Sequence, residues 1–169
     1  VFDGEGFECD ATITAFARDS VTLAGDVVRA GIGAHPAEMT LIQGFPKGDK
    51  LEQVVRQATE LGVRAVWAVY TERSVPQSRA DRAGARRERL LRVAEEAARQ
   101  CGRADVPEVL EGVELAAAMR RAHDEGRYAL RLAAWERSTT ALASRVKPNA
   151  RGPVALLVGP EGGLSEQEV

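Results

Sequence analysis

The amino-acid sequence predicts an α/β fold with a mostly parallel sheet and helices on both faces. Short apolar runs alternate with segments in which apolar residues recur at helical spacing. The runs over residues 63–70 and 154–158 are nearly continuous, which is typical of strands covered on both faces. A strand, a helix and a second strand follow one another over residues 39–70, and this βαβ pattern joins parallel strands.

The first 33 residues differ from the rest. Residues 7–13 and 20–24 alternate apolar and polar side chains, which predicts antiparallel strands joined by a turn near Arg18 and Asp19. Residues 31–36 carry the glycines and proline typical of a linker. We therefore expect a β ribbon from a small barrel over residues 1–33 and a second domain over residues 37–169.

The second domain has recognisable helix signals. Asp49 is placed to cap a helix with Glu52 completing a capping box, and Gly62 is placed to end that helix. The remaining predicted elements are a helix over 81–100, an extended piece over 106–109, a helix over 114–121, and strands over 128–134 and 154–158. The longer helix is expected to bury Leu90, Leu91, Ala94, Ala97, Ala98 and Cys101.

Composition excludes several classes of protein. With 44% hydrophobic and 28% charged residues, the chain reads as a globular domain, and no apolar run is long enough to span a membrane. Its two cysteines lack CxxC spacing, so we expect free thiols in a reducing cytoplasm. The two histidines are too few and too scattered for a metal site. The first residues resemble neither a start nor a signal peptide, so we expect a fragment of a longer protein.

Positive charge is concentrated in residues 73–103, which hold nine arginines against four acidic residues. One interpretation is a basic surface that binds phosphates, since the arginine guanidinium forms paired hydrogen bonds with phosphate oxygens. The other is a solvated helix with ion pairs four residues apart, such as Glu88 with Arg92 and Glu95 with Arg99. The pattern alone leaves both open.

The last predicted strand runs into Gly159-Pro160-Glu161-Gly162-Gly163-Leu164. A glycine loop between a strand and a helix start is a recurrent ligand cradle, and Ser165 with Glu168 predicts that start. A tight connection without a ligand is the alternative. Neither the phosphate-loop lysine motif nor the GxGxxG pattern is present, which argues against ATP and dinucleotides.

Several motifs in order resemble the ribosomal RNA small-subunit methyltransferase E (RsmE) family. They are Lys47-Gly48-Asp49-Lys50, Thr59-Glu60-Leu61-Gly62-Val63, Thr71-Glu72-Arg73-Ser74, Gln100-Cys101-Gly102-Arg103 and the glycine loop. The resemblance implies a SPOUT-type domain with a trefoil knot that binds S-adenosylmethionine, preceded by a PUA-like RNA-binding barrel. The family's closing segment, of the type Leu-Gly-x-x-Ile-Leu-Arg-x-Glu-Thr, does not occur here, so we expect an incomplete knot.

The resemblance further implies a homodimeric enzyme that methylates N3 of a uridine in 16S ribosomal RNA of the small subunit. It implies three catalytic residues near the pocket, namely Arg73, Arg103 and Glu136. It places the cofactor at Leu157, Val158, Gly159, Pro160, Glu161, Gly162, Gly163 and Leu164. It assigns RNA contacts to Lys47, Arg73, Ser74, Arg79 and Arg103, and it implies no metal.

The chemistry of the residues is compatible with this assignment. Methyl transfer from a sulfonium needs neither a metal nor a covalent intermediate. A nearby arginine would stabilise the uridine anion, and either Glu136 or Glu161 could accept the N3 proton. Two other classes stay open at this point: a noncatalytic RNA-binding or ribosome-assembly protein on the same scaffold, and a nucleotide-binding α/β protein with an unrelated ligand.

Overall fold

The N-terminal part of the chain forms two small antiparallel ribbons. The computed structural model describes residues 1–31, 38–74, 83–146 and 151–169. Strands β1 (Phe7–Glu8) and β4 (Arg29–Ala30) pair with each other, and β2 (Ala11–Phe16) pairs with β3 (Val21–Gly25). The predicted ribbon and its turn are therefore confirmed. The PUA-like barrel stays a prediction, and the predicted linker lies outside the described residues except for Gly31.

The second part is a five-stranded sheet in which all neighbouring strands are parallel. Its strands are β5 (Met39–Gly44), β6 (Ala65–Tyr70), β7 (Glu108–Glu114), β8 (Leu130–Ala134) and β9 (Val154–Val158). Their spatial order is β7-β6-β5-β9-β8. From β5 the chain steps outward through β6 to β7, then returns on the other side of β5. The switch in direction therefore lies between β5 and β9.

Helices cover both faces of the central strands. Helices α1 (Lys50–Glu60) and α2 (Ala83–Cys101) pack over one face, while α3 (Leu115–Asp124) packs over the other. Residues of β6 alternate between the two cores, and all six are buried. This explains the continuous apolar run in the sequence. A fourth helix, α4 (Leu142–Arg145), has a single turn and buries no residue.

The predicted βαβ unit and the mostly parallel sheet are confirmed, whereas the cap by Asp49 and the burial of Cys101 are wrong and one strand is longer than predicted. Asp49 precedes α1 without a side-chain capping bond, and its backbone, with φ −92° and ψ 11°, lies outside the extended region usual for an N-cap. Arg89 pairs with both Asp49 and Glu52. Cys101 is exposed, since its thiol turns back toward the carbonyl of Ala98. The extended piece predicted over residues 106–109 is part of the longer strand β7, at the edge of the sheet. Three glutamates interrupt its apolar pattern, so the sequence did not indicate its full length.

The N-terminal ribbon is tied to the amino-terminal edge of the sheet. The Gly6 N–H donates to the Ala104 carbonyl (3.1 Å), and the Val106 N–H donates to the Gly4 carbonyl (2.9 Å). Both cysteines are free thiols. Within the described ranges, no helix has the length and apolar character needed to cross a membrane.

Candidate active site

The glycine loop lies at the carboxyl edge of the sheet, beside the switch between β5 and β9. Open α/β sheets bind their ligands at this position. The fit is close, because a Cβ added to Gly44 would lie 2.7 Å from Pro160 Cδ. A Cβ added to Gly159 would lie 2.9 Å from the carbonyl carbon of Gly163. The two glycines therefore allow the ends of neighbouring strands and the folded loop to touch through their backbones.

Residues at the end of β5 and just after it hold one side of the loop. The buried Gln43 amide donates to the carbonyls of Gly44 (2.9 Å) and Gly159 (3.1 Å). The Glu161 carboxylate accepts the backbone N–H of Lys47 (3.0 Å) and the ammonium of Lys50 (2.7 Å). The hydrogen bond from Lys50 is the main cause that holds the pKa of the Glu161 carboxyl at about 2. Glu161 is therefore ionised throughout the neutral pH range.

The turn that follows β6 holds the other side of the loop. The Arg73 guanidinium donates from Nη1 to the Gly162 carbonyl (2.8 Å), and its stem lies 3.3 Å from a Cβ added to Gly162. The hydroxyl of Ser74 accepts the Thr71 N–H (3.0 Å) and contacts the Thr71 hydroxyl (2.9 Å). Ser74 thus fixes the turn that presents Arg73 to the loop. Among the described residues, the remaining nitrogens of Arg73 have no hydrogen-bond partner.

Glu136 follows β8 and lies directly against the loop. Gly163 has φ +72°, and a Cβ added there would lie 2.7 Å from the Glu136 carboxyl carbon. The Glu136 side chain is exposed, and within the part of the chain that the structure describes it forms no hydrogen bond or ion pair. An unpartnered carboxylate therefore lies beside the glycine backbone.

The residues after the loop form part of the predicted capping box. The Glu168 carboxylate accepts the N–H of Ser165 (2.9 Å) and the N–H of Glu72 (2.7 Å), which links this segment to the Arg73 turn. The backbone over residues 166–168 forms turns rather than a helix. The Ser165 hydroxyl is buried without a hydrogen-bond partner among the described residues. Leu164 is buried in the core beneath the loop.

Arg103 does not lie at this site, contrary to the expectation that it stands near the pocket. Its guanidinium is buried, donates to the carbonyls of Thr59 (2.8 Å) and Val63 (3.1 Å), and pairs with Asp105 (2.6 Å). Val63 precedes β6, and Arg103 itself follows α2, so both lie at the amino-terminal edge. Arg103 therefore stabilises the opposite edge of the sheet, where its guanidinium is already engaged by Asp105 and two backbone carbonyls.

The arginines of α2 are largely engaged in ion pairs, as the solvated-helix interpretation expects. Arg86 pairs with the buried carboxylate of Glu111 (2.6 Å), and Arg89 pairs with Glu52. The pairs predicted four residues apart, Glu88 with Arg92 and Glu95 with Arg99, are present at 4.0 Å. Lys47 is exposed beside the loop, and Arg79 lies outside the described residues.

Sequence reasoning missed three of the residues that shape the site, namely Gln43, Lys50 and Glu168. Gln43 is a polar residue near the end of an apolar strand, and Lys50 belongs to the motif Lys47-Gly48-Asp49-Lys50, so the sequence could have indicated a role for both. The second partner of Glu168, the N–H of Glu72, is 96 residues away in the sequence, and no local pattern indicates it. No group of three or more metal-ligating side chains is arranged for a metal ion in the described residues.

A family model described as the RNA methyltransferase domain matches residues 34–169. The chain belongs to this family. It is 32% identical to the ribosomal RNA small subunit methyltransferase E of Bacillus subtilis (strain 168) over 171 residues, which cover 98% of the chain. The chain spans 66% of the length of that relative. The resemblance to the RsmE family found in the sequence is therefore confirmed.

Solved structures of methyltransferases share the fold of this RNA methyltransferase domain. A protein from Legionella pneumophila, solved with the cofactor SAM bound, aligns with a TM-score of 0.86 and 27% identity over 99% of the chain and 66% of its own. The ribosomal RNA small subunit methyltransferase E from Neisseria gonorrhoeae, bound to S-adenosylmethionine, aligns with a TM-score of 0.82 and 27% identity, covering 99% and 67%. The SPOUT-type α/β architecture is thus supported, while the knot stays a prediction.

Proposed function

We propose that this protein transfers a methyl group from S-adenosylmethionine to N3 of a uridine in 16S ribosomal RNA of the small subunit. The observation that carries the proposal is the meeting of the glycine loop, Arg73 and Glu136 at the carboxyl edge of the sheet. Membership of the RNA methyltransferase family and the relatives bound to the cofactor support it.

The loop has the properties of a cofactor site. Glu161 and Gly162 are exposed, and the glycines leave the backbone open to close approach by a ligand. The residues that would hold the cofactor are Leu157, Val158, Gly159, Pro160, Glu161, Gly162, Gly163 and Leu164. The carbonyls of Gly159 and Gly162 are already used by Gln43 and Arg73, and the Gly163 N–H is used by the Pro160 carbonyl, so a ligand would meet the other backbone groups of the loop. S-adenosylmethionine, when bound, supplies an electrophilic methyl group.

The chemistry of the acceptor falls to two side chains. The uridine must lose its N3 proton as the new nitrogen–carbon bond forms, and we assign the role of proton acceptor to Glu136, whose exposed carboxylate has no partner among the described residues. Arg73 is fixed on one edge by Gly162 and keeps other nitrogens for the negative charge that develops on the base. Bound S-adenosylmethionine would give up its methyl group and leave as a neutral thioether.

The proposed RNA contacts lie around the same edge. Lys47 and Arg73 are exposed there, Ser74 supports the turn, and Arg79 is assigned by the resemblance alone. We include a homodimer and a cytoplasmic location in the proposal, since the resemblance to the family implies the first and free cysteines suit the second.

Methyl transfer to purified small subunits tests this function. The complete gene product should bind S-adenosylmethionine in calorimetry and move its labelled methyl group to 16S RNA. Glu136→Gln should retain cofactor binding and slow transfer by about 10²-fold or more, as expected when a proton acceptor is lost. A complete protein that binds no S-adenosylmethionine would contradict the proposal, and so would a Glu136→Gln enzyme as fast as the parent.

A further inference from the structure

Three side chains from outside the glycine loop each hold a different residue of it. Gln43 binds the carbonyl of Gly159, Lys50 binds the carboxylate of Glu161, and Arg73 binds the carbonyl of Gly162. Glycines give a loop more conformational freedom than other residues, so a single loop shape needs several such restraints. At Glu161 the restraint acts on a side chain of the loop, whereas at Gly159 and Gly162 it acts on backbone carbonyls.

The Glu161 carboxylate has both oxygens engaged. Its Oε1 accepts from the Lys50 ammonium (2.7 Å) and from the Lys47 N–H (3.2 Å), while its Oε2 accepts from the same N–H (3.0 Å). Lys50 is the first residue of α1, and Lys47 lies in the turn before it. One carboxylate therefore joins the loop after β9 to the turn after β5, across the switch in the sheet.

We infer that Glu161 is a positioning residue whose carboxylate fastens the glycine loop to the start of α1 and holds the loop backbone ready for the cofactor. The inference deepens the proposed function and rests on it for the identity of the ligand. It also removes Glu161 from the candidates for proton acceptor, because taking up a proton would break the bonds from Lys47 and Lys50.

The geometry separates this role from that of an ordinary surface ion pair. An exposed pair typically joins two long side chains and contributes little. Here the carboxylate additionally accepts a backbone N–H. Glu161 itself lies in a bend that is closed by the hydrogen bond from the Gly163 N–H to the Pro160 carbonyl (2.9 Å). Loss of the carboxylate therefore frees the backbone of the loop rather than one side chain.

The test compares Glu161→Gln, Lys50→Met and the double variant in the complete gene product. Glu95→Gln is the matched control, since it removes the charge from another exposed pair, on α2. We expect the dissociation constant for S-adenosylmethionine to rise about three- to tenfold in each single variant, consistent with a charge-assisted bond near the surface. The dissociation constant of the double variant should not exceed that of the weaker-binding single variant, because both substitutions remove the same restraint. The turnover number at saturating cofactor should stay within about twofold, since a positioning group acts here through binding.

Two results would overturn the inference. A Glu161→Gln enzyme that binds cofactor normally but turns over about 10²-fold slower, beside a silent Lys50→Met, would make Glu161 the proton acceptor. Cofactor affinities equal to those of Glu95→Gln would make it a simple surface pair.

Amide hydrogen exchange keeps this test separate from that of the proposed function. Without any ligand, Glu161→Gln and Lys50→Met should both accelerate exchange at Lys47 and at the loop amides over residues 161–164, whereas Glu95→Gln should not. If the parent protein binds no S-adenosylmethionine, the proposed function fails, and accelerated exchange still supports the restraint. Unchanged exchange in both variants contradicts it.

Discussion

Arg73 is held by its own turn and by the loop at once, and this makes its replacement informative. Arg73→Ala removes both the bond to the Gly162 carbonyl and the charge proposed to stabilise the uridine anion. We expect kcat/KM for methyl transfer to fall about 10²- to 10³-fold, the usual effect of losing a group that stabilises developing negative charge. Arg73→Lys keeps a positive charge and a donor but lacks the planar guanidinium, so its activity should lie between that of the parent and that of Arg73→Ala.

The control for Arg73 is Arg99→Ala, which removes an exposed arginine paired with Glu95 on α2. Steady-state transfer to small subunits measures both variants. Equal rates for Arg73→Ala and Arg99→Ala would show that Arg73 takes no part in the reaction.

Gly163 tests the shape of the loop at a single position. Its φ of +72° is strained for any residue with a Cβ, and the added methyl group would meet the Glu136 carboxylate. We expect Gly163→Ala to weaken binding of S-adenosylmethionine about tenfold, since a strain of roughly 1–2 kcal/mol shifts the loop.

Gly84→Ala is the matched control for this change. Gly84 lies in α2, and no atom of the described residues lies within 4 Å of an added Cβ, so the substitution should raise the free energy of unfolding by about 0.5–1 kcal/mol. Calorimetry and urea denaturation measure the two effects. Unchanged affinity in Gly163→Ala would contradict the loop's assignment as the cofactor site.

The low pKa of Glu161 predicts how the stability of the protein depends on pH. A carboxyl whose pKa is about 2 when folded, against an ordinary 4.5, contributes stability that is complete above 4.5 and is lost as the pH falls toward 2. The difference in unfolding free energy between the parent and Glu161→Gln should thus be constant from pH 8 to pH 5 and shrink below that. Urea denaturation across this range measures it, and a difference that grows in acid would contradict the ion pair.

At the scale of elements, Arg73 and Arg103 show why identical residues have different roles. In a sheet of parallel strands, a turn after a strand lies at the carboxyl edge and a turn after a helix lies at the amino edge. Arg73 follows β6 and reaches the loop, whereas Arg103 follows α2 and is buried at the other edge. This distinction was available from the predicted element order, but the motif resemblance grouped the two residues together.

The buried position of Arg103 predicts a large effect on stability. Arg103→Ala leaves Asp105 without its partner and removes donors from two backbone carbonyls, so unfolding should become easier by about 3–5 kcal/mol. Arg99→Ala, an exposed change four residues earlier, should stay within about 0.5 kcal/mol. Urea denaturation separates them. An Arg103→Ala protein of parental stability that fails to bind RNA would restore the role first expected from the sequence.

Other elements show where sequence patterns suffice and where packing decides. β6 was predictable because both of its faces are covered and all of its residues are apolar or small. β7 was shortened in the prediction because an edge strand tolerates Glu108, Glu111 and Glu114. Asp49 had the sequence of a capping residue, yet Arg89, 40 residues away, recruits it into an ion pair. Local chemistry therefore indicated which elements form, whereas the partners of side chains at their ends depended on residues distant in the sequence.

At the scale of the whole molecule, the fold brings three separate turns to one edge of the sheet. The start of α1 after β5 supplies Lys50, the turns after β6 and β8 supply Arg73 and Glu136, and each contacts the loop after β9. The sequence predicted the loop, the parallel sheet and two of these residues. It did not predict that the carbonyls of the loop are already bonded, because that depends on the three-dimensional meeting of the turns.

Mass spectrometry of 16S ribosomal RNA tests the central claim most directly. The RNA should be compared between cells that carry the intact gene, cells from which it is deleted, and deleted cells that express Arg73→Ala. One N3-methyluridine should disappear on deletion, return with the parent gene and stay strongly reduced with the variant. An unchanged set of methylated uridines after deletion would contradict it.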